Sequence, residues 1–317
     1  MDLFFITRPV VLVPVWGFAL FGYRISSQTS NIFQTINFSV ILQILLFSLS
    51  AASIYVLNQI ADRKVDADNS GFPLLLKSEI TNKTVWVLAS ILAVLSTAVP
   101  FFCGHKNISA LSLASILLGI AYCFAPFSFS RKPVLDFLSN ALGYGTIAFS
   151  VGWILGGERI NIEINSDFLR SMFPYFWMMA AGSISSTLPD YESDKANKKI
   201  TTAVYFGKKT AHFVAIGCIL SSIVSAVYNG KDFVALCASL IAMILYVLYV
   251  VFPQNEKLME ACYKIGGAVS ILIIGLFFPI LIISGMIIVV SSVLYFRIFY
   301  NVFYPSLLPA KEKFHLK

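Results

Sequence analysis

The stretch FSVILQILLFSLSAASIYVLNQIADRKVD, residues 38–66, runs from some twenty mostly apolar residues straight into a cluster of charge. Roughly 20 such residues are what one helix needs to cross the hydrocarbon core of a bilayer. The charged end reads Asn58-Gln-Ile-Ala-Asp62-Arg63-Lys-Val-Asp66, with the two aspartates four apart. On a helix they share one face, and Asn58 joins that stripe one turn earlier. Paired carboxylates at a membrane boundary are costly unless something positive occupies them, so the cluster reads as a functional site holding cations.

A second cluster, Asp190-Tyr-Glu-Ser-Asp194-Lys195, closes another apolar run. With 317 residues, 58% hydrophobic and 12% charged, the chain is expected to be an all-α polytopic membrane protein, read as one domain over residues 1–317. No alternating barrel pattern competes with that reading. Apolar spans are expected near 10–24, 38–57, 84–102, 109–127, 136–156, 169–189, 210–228, 233–252, 264–283 and 286–304. The last two form one long stretch broken at Pro279 and Gly285. Before the first span, Met1-Asp2-Leu3 and Arg8-Pro9 lack the basic region and small-residue cleavage site of a signal peptide, so that span is read as retained. Five scattered cysteines and three dispersed histidines give neither a disulfide framework nor a metal-ligand spacing.

With ten spans, both acidic clusters fall on one side of the membrane. That side collects seventeen of the 23 Lys and Arg residues and the opposite side five, which places the clusters in the cytoplasm. The net charge of +7 is thereby explained by topology, and no nucleic-acid partner is implied. Asp62 to Asp190 and Asp66 to Asp194 are each 128 residues apart, which hints at a duplicated four-helix unit giving one carboxylate pair per half.

Four carboxylates converging from two loops repel one another unless divalent cations neutralise them. Magnesium binds through one or two carboxylates and leaves positions for substrate phosphates. Arg63, Arg131, Lys132, Lys195, Lys198 and Lys199 add anion-binding groups around the acids, and the combination suits a diphosphate. Above an apolar bundle, that diphosphate would head a polyprenyl chain lying among the spans. Loss of pyrophosphate leaves an allylic cation, which aromatic faces stabilise; Tyr122, Phe124, Tyr144 and Phe149 fall at suitable depths. Topology alone also asks for many of the same basic residues, and Asn140 with Gly143 to Gly145 also suits close helix packing. An ion-coupled transporter is the rival reading, although its acids belong in mid-span.

The pattern Asn58-x3-Asp62-x3-Asp66, the pair Asp190-x3-Asp194 with Lys198-Lys199-Ile-Thr-Thr, the segment Tyr122 to Lys132, and Asn140-x-x-Gly143-Tyr144-Gly145 resemble the UbiA superfamily of intramembrane prenyltransferases. The resemblance covers roughly residues 8 to 210. It implies nine transmembrane helices around a central cavity, against ten segments read from the chain. It also implies that Asn58, Asp62, Asp66, Asp190 and Asp194 hold two Mg2+ ions against the diphosphate. Arg63 and the Arg131-Lys132 pair would contact that diphosphate, with Tyr122 near the reacting carbon. The acceptor implied is most often an aromatic ring, in other members a porphyrin-derived or glycerophosphate compound. Gln59 stands where many members carry a further Asp, and Asn69-Ser-Gly71-Phe72-Pro73 lacks their basic residue before the proline.

Overall fold

The structure, a computed structural model, describes residues 1–63, 66, 74–157, 165–229, 232–302 and 304. Ten long helices dominate it: α1 Pro9–Ser26, α2 Phe38–Ala61, α3 Asn82–Phe102, α4 Lys106–Cys123, α5 Leu135–Gly156, α6 Ser166–Thr187, α7 Lys208–Asn229, α8 Phe233–Val251, α9 Glu256–Phe277 and α10 Pro279–Tyr300. No strand occurs among the described residues. Each long helix coincides with one expected span. Asn37, Thr81, Asn165 and Asn255 start four of them, each side chain accepting a backbone N–H of the first turn.

Among the described residues, nine of these helices are long and apolar enough to cross a membrane, and α6 matches them in length but is more polar. Its polarity is tolerated because α6 sits inside the bundle, packed on α5, α7 and α9. Ser171, Ser183 and Ser185 are all buried there. Large apolar side chains such as Val94, Leu117, Val224 and Ile287 lie exposed on the outer helices, as a lipid-facing surface requires.

The long apolar stretch near residue 280 is two helices. Phe33 and Gln34, between α1 and α2, donate backbone N–H groups to the Leu276 and Phe277 carbonyls at the end of α9. Tyr295 and Tyr300, late in α10, donate their hydroxyls to Asp2, ahead of α1. The chain therefore doubles back between α9 and α10. The break falls at Phe278, since a proline disfavours helical backbone in the residue before it. Gly285, expected as a second break, lies instead within α10, against Val13. α4 ends at Cys123, short of the expected residue 127, where Phe124 turns extended (φ −120°, ψ 153°) two residues before Pro126.

Backbone contact sets the α1–α5 pair. A side chain at Gly22 or Gly152 would run into the facing helix backbone, at the Phe149 and Ala19 carbonyls respectively. Beside this seam the rings of Phe21 and Tyr175 lie 4.4 Å apart and those of Phe149 and Tyr175 5.4 Å apart, all fully buried. This aromatic core is set deep in the bundle, away from the acidic ends of α2 and α6. Within α5, residues Ala141–Ala148 form a π-helical stretch, a widening often found at functional sites.

Candidate active site

Both acid pairs form as single helical turns where a span ends. At the end of α2, Asp62 is the C-cap, and the Asp66 N–H donates to the Asp62 carbonyl at 2.8 Å. Beyond α6, a short helix Tyr191–Ala196 follows Asp190, and the Asp194 N–H donates to the Asp190 carbonyl at 2.8 Å. Asp62 and Asp194 are buried, at 6% and 2% exposure.

Lys199 joins the two turns. Its ammonium lies 3.6 Å from Asp62 Oδ2 and 3.7 Å from Asp194 Oδ1. The chain reaches back there because Lys198 adopts a left-handed φ of 55°, letting the Lys199 N–H close onto the Asp194 carbonyl at 2.8 Å. The following residues are fixed in turn. Buried Asp136, at the start of α5, accepts the backbone N–H of Thr202 at 2.6 Å and also the Thr202 hydroxyl.

Asn58 Nδ2 donates to Asp62 Oδ2 at 3.2 Å, and the Cys123 thiol donates to Asn58 Oδ1 at 3.2 Å. Arg131 Nη2 stands 3.9 Å from Asp62 Oδ1. Asp66 pairs with Arg8, whose Nη2 is 3.4 Å from Asp66 Oδ2. Arg63, Lys132 and Lys195 are exposed at this end, and Lys195 lies over the Tyr191 ring at 5.8 Å. The structure thus gathers Asn58, Asp62, Asp66, Asp194, Lys199 and Arg131 into one network, and leaves Arg63, Lys132 and Lys195 outside it. Residues 69–73, where the sequence departs from the family pattern, lie outside the described residues.

Burial and crowding set the charge states. Asp190 is pushed up to about 7 by burial and by the neighbouring Asp194, against the pull of Lys199. Burial likewise raises Asp194 to about 6, with Lys199 opposing. Burial would lower the Lys199 ammonium, but Asp62 and Asp194 outweigh it and hold the group at about 12.

Beneath the network is a cavity of about 680 Å3 that reaches Asn58, Asp190 and Arg8 at its upper end. Tyr55, Tyr122 and Tyr144 line its walls, and Phe18, Phe21 and Phe47 line its deep end. Asn58 lies eleven positions beyond Phe47 on α2, about 16 Å along a helix axis. Phe124 stacks on Trp86 and Phe149 lies in the buried core, so these two aromatics do not line the cavity.

Among the described residues, no three acidic, histidine or cysteine side chains converge closely enough to hold a metal on their own. Magnesium binds by one or two carboxylates at a time and completes its shell with substrate phosphates and water. The oxygen-only donors Asn58, Asp62, Asp66, Asp190 and Asp194 fit the same ion. Arg8 and Asp136 are the residues that sequence reasoning passed over. Arg8 was one basic residue among many, and the partner of Asp136 is distant in sequence.

The profile of the UbiA prenyltransferase family matches residues 11–266. The chain is 25% identical over 242 residues to the digeranylgeranylglyceryl phosphate synthase of Methanosphaera stadtmanae, across 75% of this chain and 85% of that protein. It is 25% identical over 179 residues to "Probable homogentisate phytyltransferase 2, chloroplastic" of Oryza sativa subsp. japonica, across 54% of this chain and only 46% of that protein's length. A UbiA homologue from Archaeoglobus fulgidus, solved with GPP and Mg2+, superimposes with a TM-score of 0.66 at 22% identity, over 89% of this chain and 99% of that one. The profile match spans both acid pairs and most of the cavity-lining helices, and the chain belongs to the UbiA prenyltransferase family.

Proposed function

We propose that the protein transfers a prenyl group from a polyprenyl diphosphate to a small lipid-pathway acceptor, with release of pyrophosphate and dependence on Mg2+. The observation that carries this reading is the junction at Lys199, where two acid pairs from separate spans meet above an aromatic-lined cavity. The relatives agree with it, since the Archaeoglobus homologue was solved with GPP and Mg2+.

Asn58, Asp62, Asp66, Asp190 and Asp194 would hold two ions. Bound there, magnesium acts as a Lewis acid on the leaving pyrophosphate. Lys199 and Arg131 stand beside the acids and would turn to the diphosphate oxygens, with Arg63, Lys132 and Lys195 adding positive charge at the same end. Tyr122, assigned here to the catalytic residues, would offer its ring face to the allylic cation as the C–O bond breaks. The enclosing apolar walls would keep water from that cation until the acceptor attacks.

The chain would act as one unit over residues 1–317 in contact with membrane lipids, with no role for nucleic acid. Its basic residues, concentrated at the acidic end, would put the site on the cytoplasmic side. An aromatic acceptor is the first reading. A glycerophosphate acceptor is the second, favoured by the longer match to the Methanosphaera synthase.

The test is pyrophosphate release by detergent-purified protein given farnesyl or geranylgeranyl diphosphate, with and without Mg2+, against aromatic, chlorin-type and glycerophosphate acceptors. Release requiring both the metal and one acceptor class supports the reading and names that class. Folded protein that releases none, but moves an ion across vesicles, overturns it in favour of transport.

A further inference from the structure

We propose that Arg8 is an exchangeable counter-ion of the acid cluster, neutralising Asp66 in the metal-free protein and moving onto diphosphate oxygens once a divalent cation takes Asp66. The inference rests on the prenyl-transfer reading and adds to it a binding residue and a coupling between metal and diphosphate.

Arg8 both pairs with an acid of the cluster and lines the cavity. Its Nη2 is 3.4 Å from Asp66 Oδ2, and it is the one basic residue among the described cavity-lining residues, which also include Tyr55, Asn58 and Asp190. Its backbone is unusual: φ 54° and ψ 58° put it in the left-handed region, which a non-glycine residue rarely adopts. Such a conformation persists only where its surroundings enforce it, and it clusters at functional sites. Here Gln59 Nε2 donates to the Ile6 carbonyl at 2.5 Å, and Pro9 begins α1 directly afterwards. The chain is thus held on both sides of the residue that points at Asp66.

Lys199 provides the parallel. It stands between Asp62 and Asp194 as Arg8 stands on Asp66, so each acid pair meets an internal cation. Partly buried carboxylates without a counter-ion are strongly unfavourable, which gives both basic groups their place in the metal-free state. A divalent ion on Asp66 would repel the guanidinium. The nearest new partner would be a diphosphate at the upper end of the cavity, whose oxygens suit the two-pronged geometry of arginine. By linkage, metal and diphosphate then strengthen each other's binding.

Arg8→Gln separates these roles, because glutamine carries the same backbone burden without the charge. Purified full-length protein would be titrated with Mn2+ alone, read by electron paramagnetic resonance, and with inorganic pyrophosphate at saturating Mg2+, read by calorimetry. The variant is expected to bind Mn2+ about fivefold more tightly, having no cation to displace, and pyrophosphate about tenfold more weakly. Arg8→Lys, which keeps a charge without the fork, should fall between the two and carries the test if the glutamine variant does not fold. A general loosening would weaken both ligands together, and that result, or no change in either, overturns the proposal. Wild-type protein that binds neither probe overturns the prenyl-transfer reading and this inference with it.

Discussion

The Lys199 ammonium lies 3.6 Å from the Asp62 carboxylate, tying the loop beyond α6 to the end of α2. Asp194, its other partner at 3.7 Å, is almost fully buried. Removing one member of such a buried pair leaves uncompensated charge and costs about 3–5 kcal/mol. Lys199→Met should therefore destabilise the detergent-solubilised, metal-free protein at pH 8. The loss should shrink by pH 5.5, where Asp194, raised by burial to about 6, takes up a proton instead. Thermal unfolding at the two pH values checks this, and an equal loss at both would mean that the lysine contributes through packing.

Asp62→Ala and Asp190→Ala each remove an oxygen donor from the cluster. Turnover should fall by about three orders of magnitude or more, as when a preorganised charge-stabilising group is lost from an active site. Native-like gel-filtration behaviour should persist, because neither change opens an apolar core and Lys199 keeps Asp194 as a partner when Asp62 is lost. Near-normal pyrophosphate release by both purified variants would refute the ligand assignment.

If Asp190 and Asp194 hold magnesium as proposed, the metal competes with protons for them. Asp190 titrates at about 7 and Asp194 at about 6 in the metal-free protein, both above the ordinary value of 3.8. Between about pH 4 and 7 the folded chain therefore binds more protons than the unfolded chain, so these two groups make the metal-free protein more stable as pH falls through that window. Metal binding must displace those protons, so the Mg2+ concentration for half-saturation should rise as pH drops from 8 to 6, by up to about tenfold per unit for each proton displaced. A half-saturation point independent of pH would exclude Asp190 and Asp194 as ligands.

Arg131 is 40% exposed and 3.9 Å from Asp62, a weak contact for stability. Arg131→Ala should leave unfolding within about 0.5 kcal/mol of wild type. Its effect should fall on the donor, raising KM for the prenyl diphosphate while kcat changes less, because a charge-assisted contact to the head is lost. An unchanged KM would leave this arginine with a topological role alone.

Much of this arrangement could be read from the chain because it is local. Twenty apolar residues make a span in any context, and aspartates four apart share a helical face, so all ten long helices and both acid pairs were legible. What escaped depends on chain reversals and distant partners. Lys195 and Lys199 are equivalent in the sequence, yet the left-handed turn at Lys198 sends Lys199 to Asp62 while Lys195 lies over Tyr191. Asp136 looks like a stray acid at the start of a span until Thr202 closes onto it. Arg8 acquires its partner only once α1 and α2 pack side by side.

Gly182 lies on α6 at the cavity wall, and a Cβ added there meets no atom within 4 Å. A larger side chain would consequently grow into the cavity and not into a neighbouring helix. Glycine in a helix interior costs roughly 0.5–1 kcal/mol relative to alanine, so Gly182→Leu should unfold no more easily than wild type. It should nonetheless remove space from the cavity of about 680 Å3 that the proposed reaction assigns to the prenyl chain. Turnover with geranylgeranyl diphosphate should fall by about tenfold or more, and shorter donors such as geranyl diphosphate should lose less. Competition between the two donors in one reaction reads this directly. Equal losses for both would locate the prenyl tail away from α6, along the Phe18 and Phe47 side of the cavity.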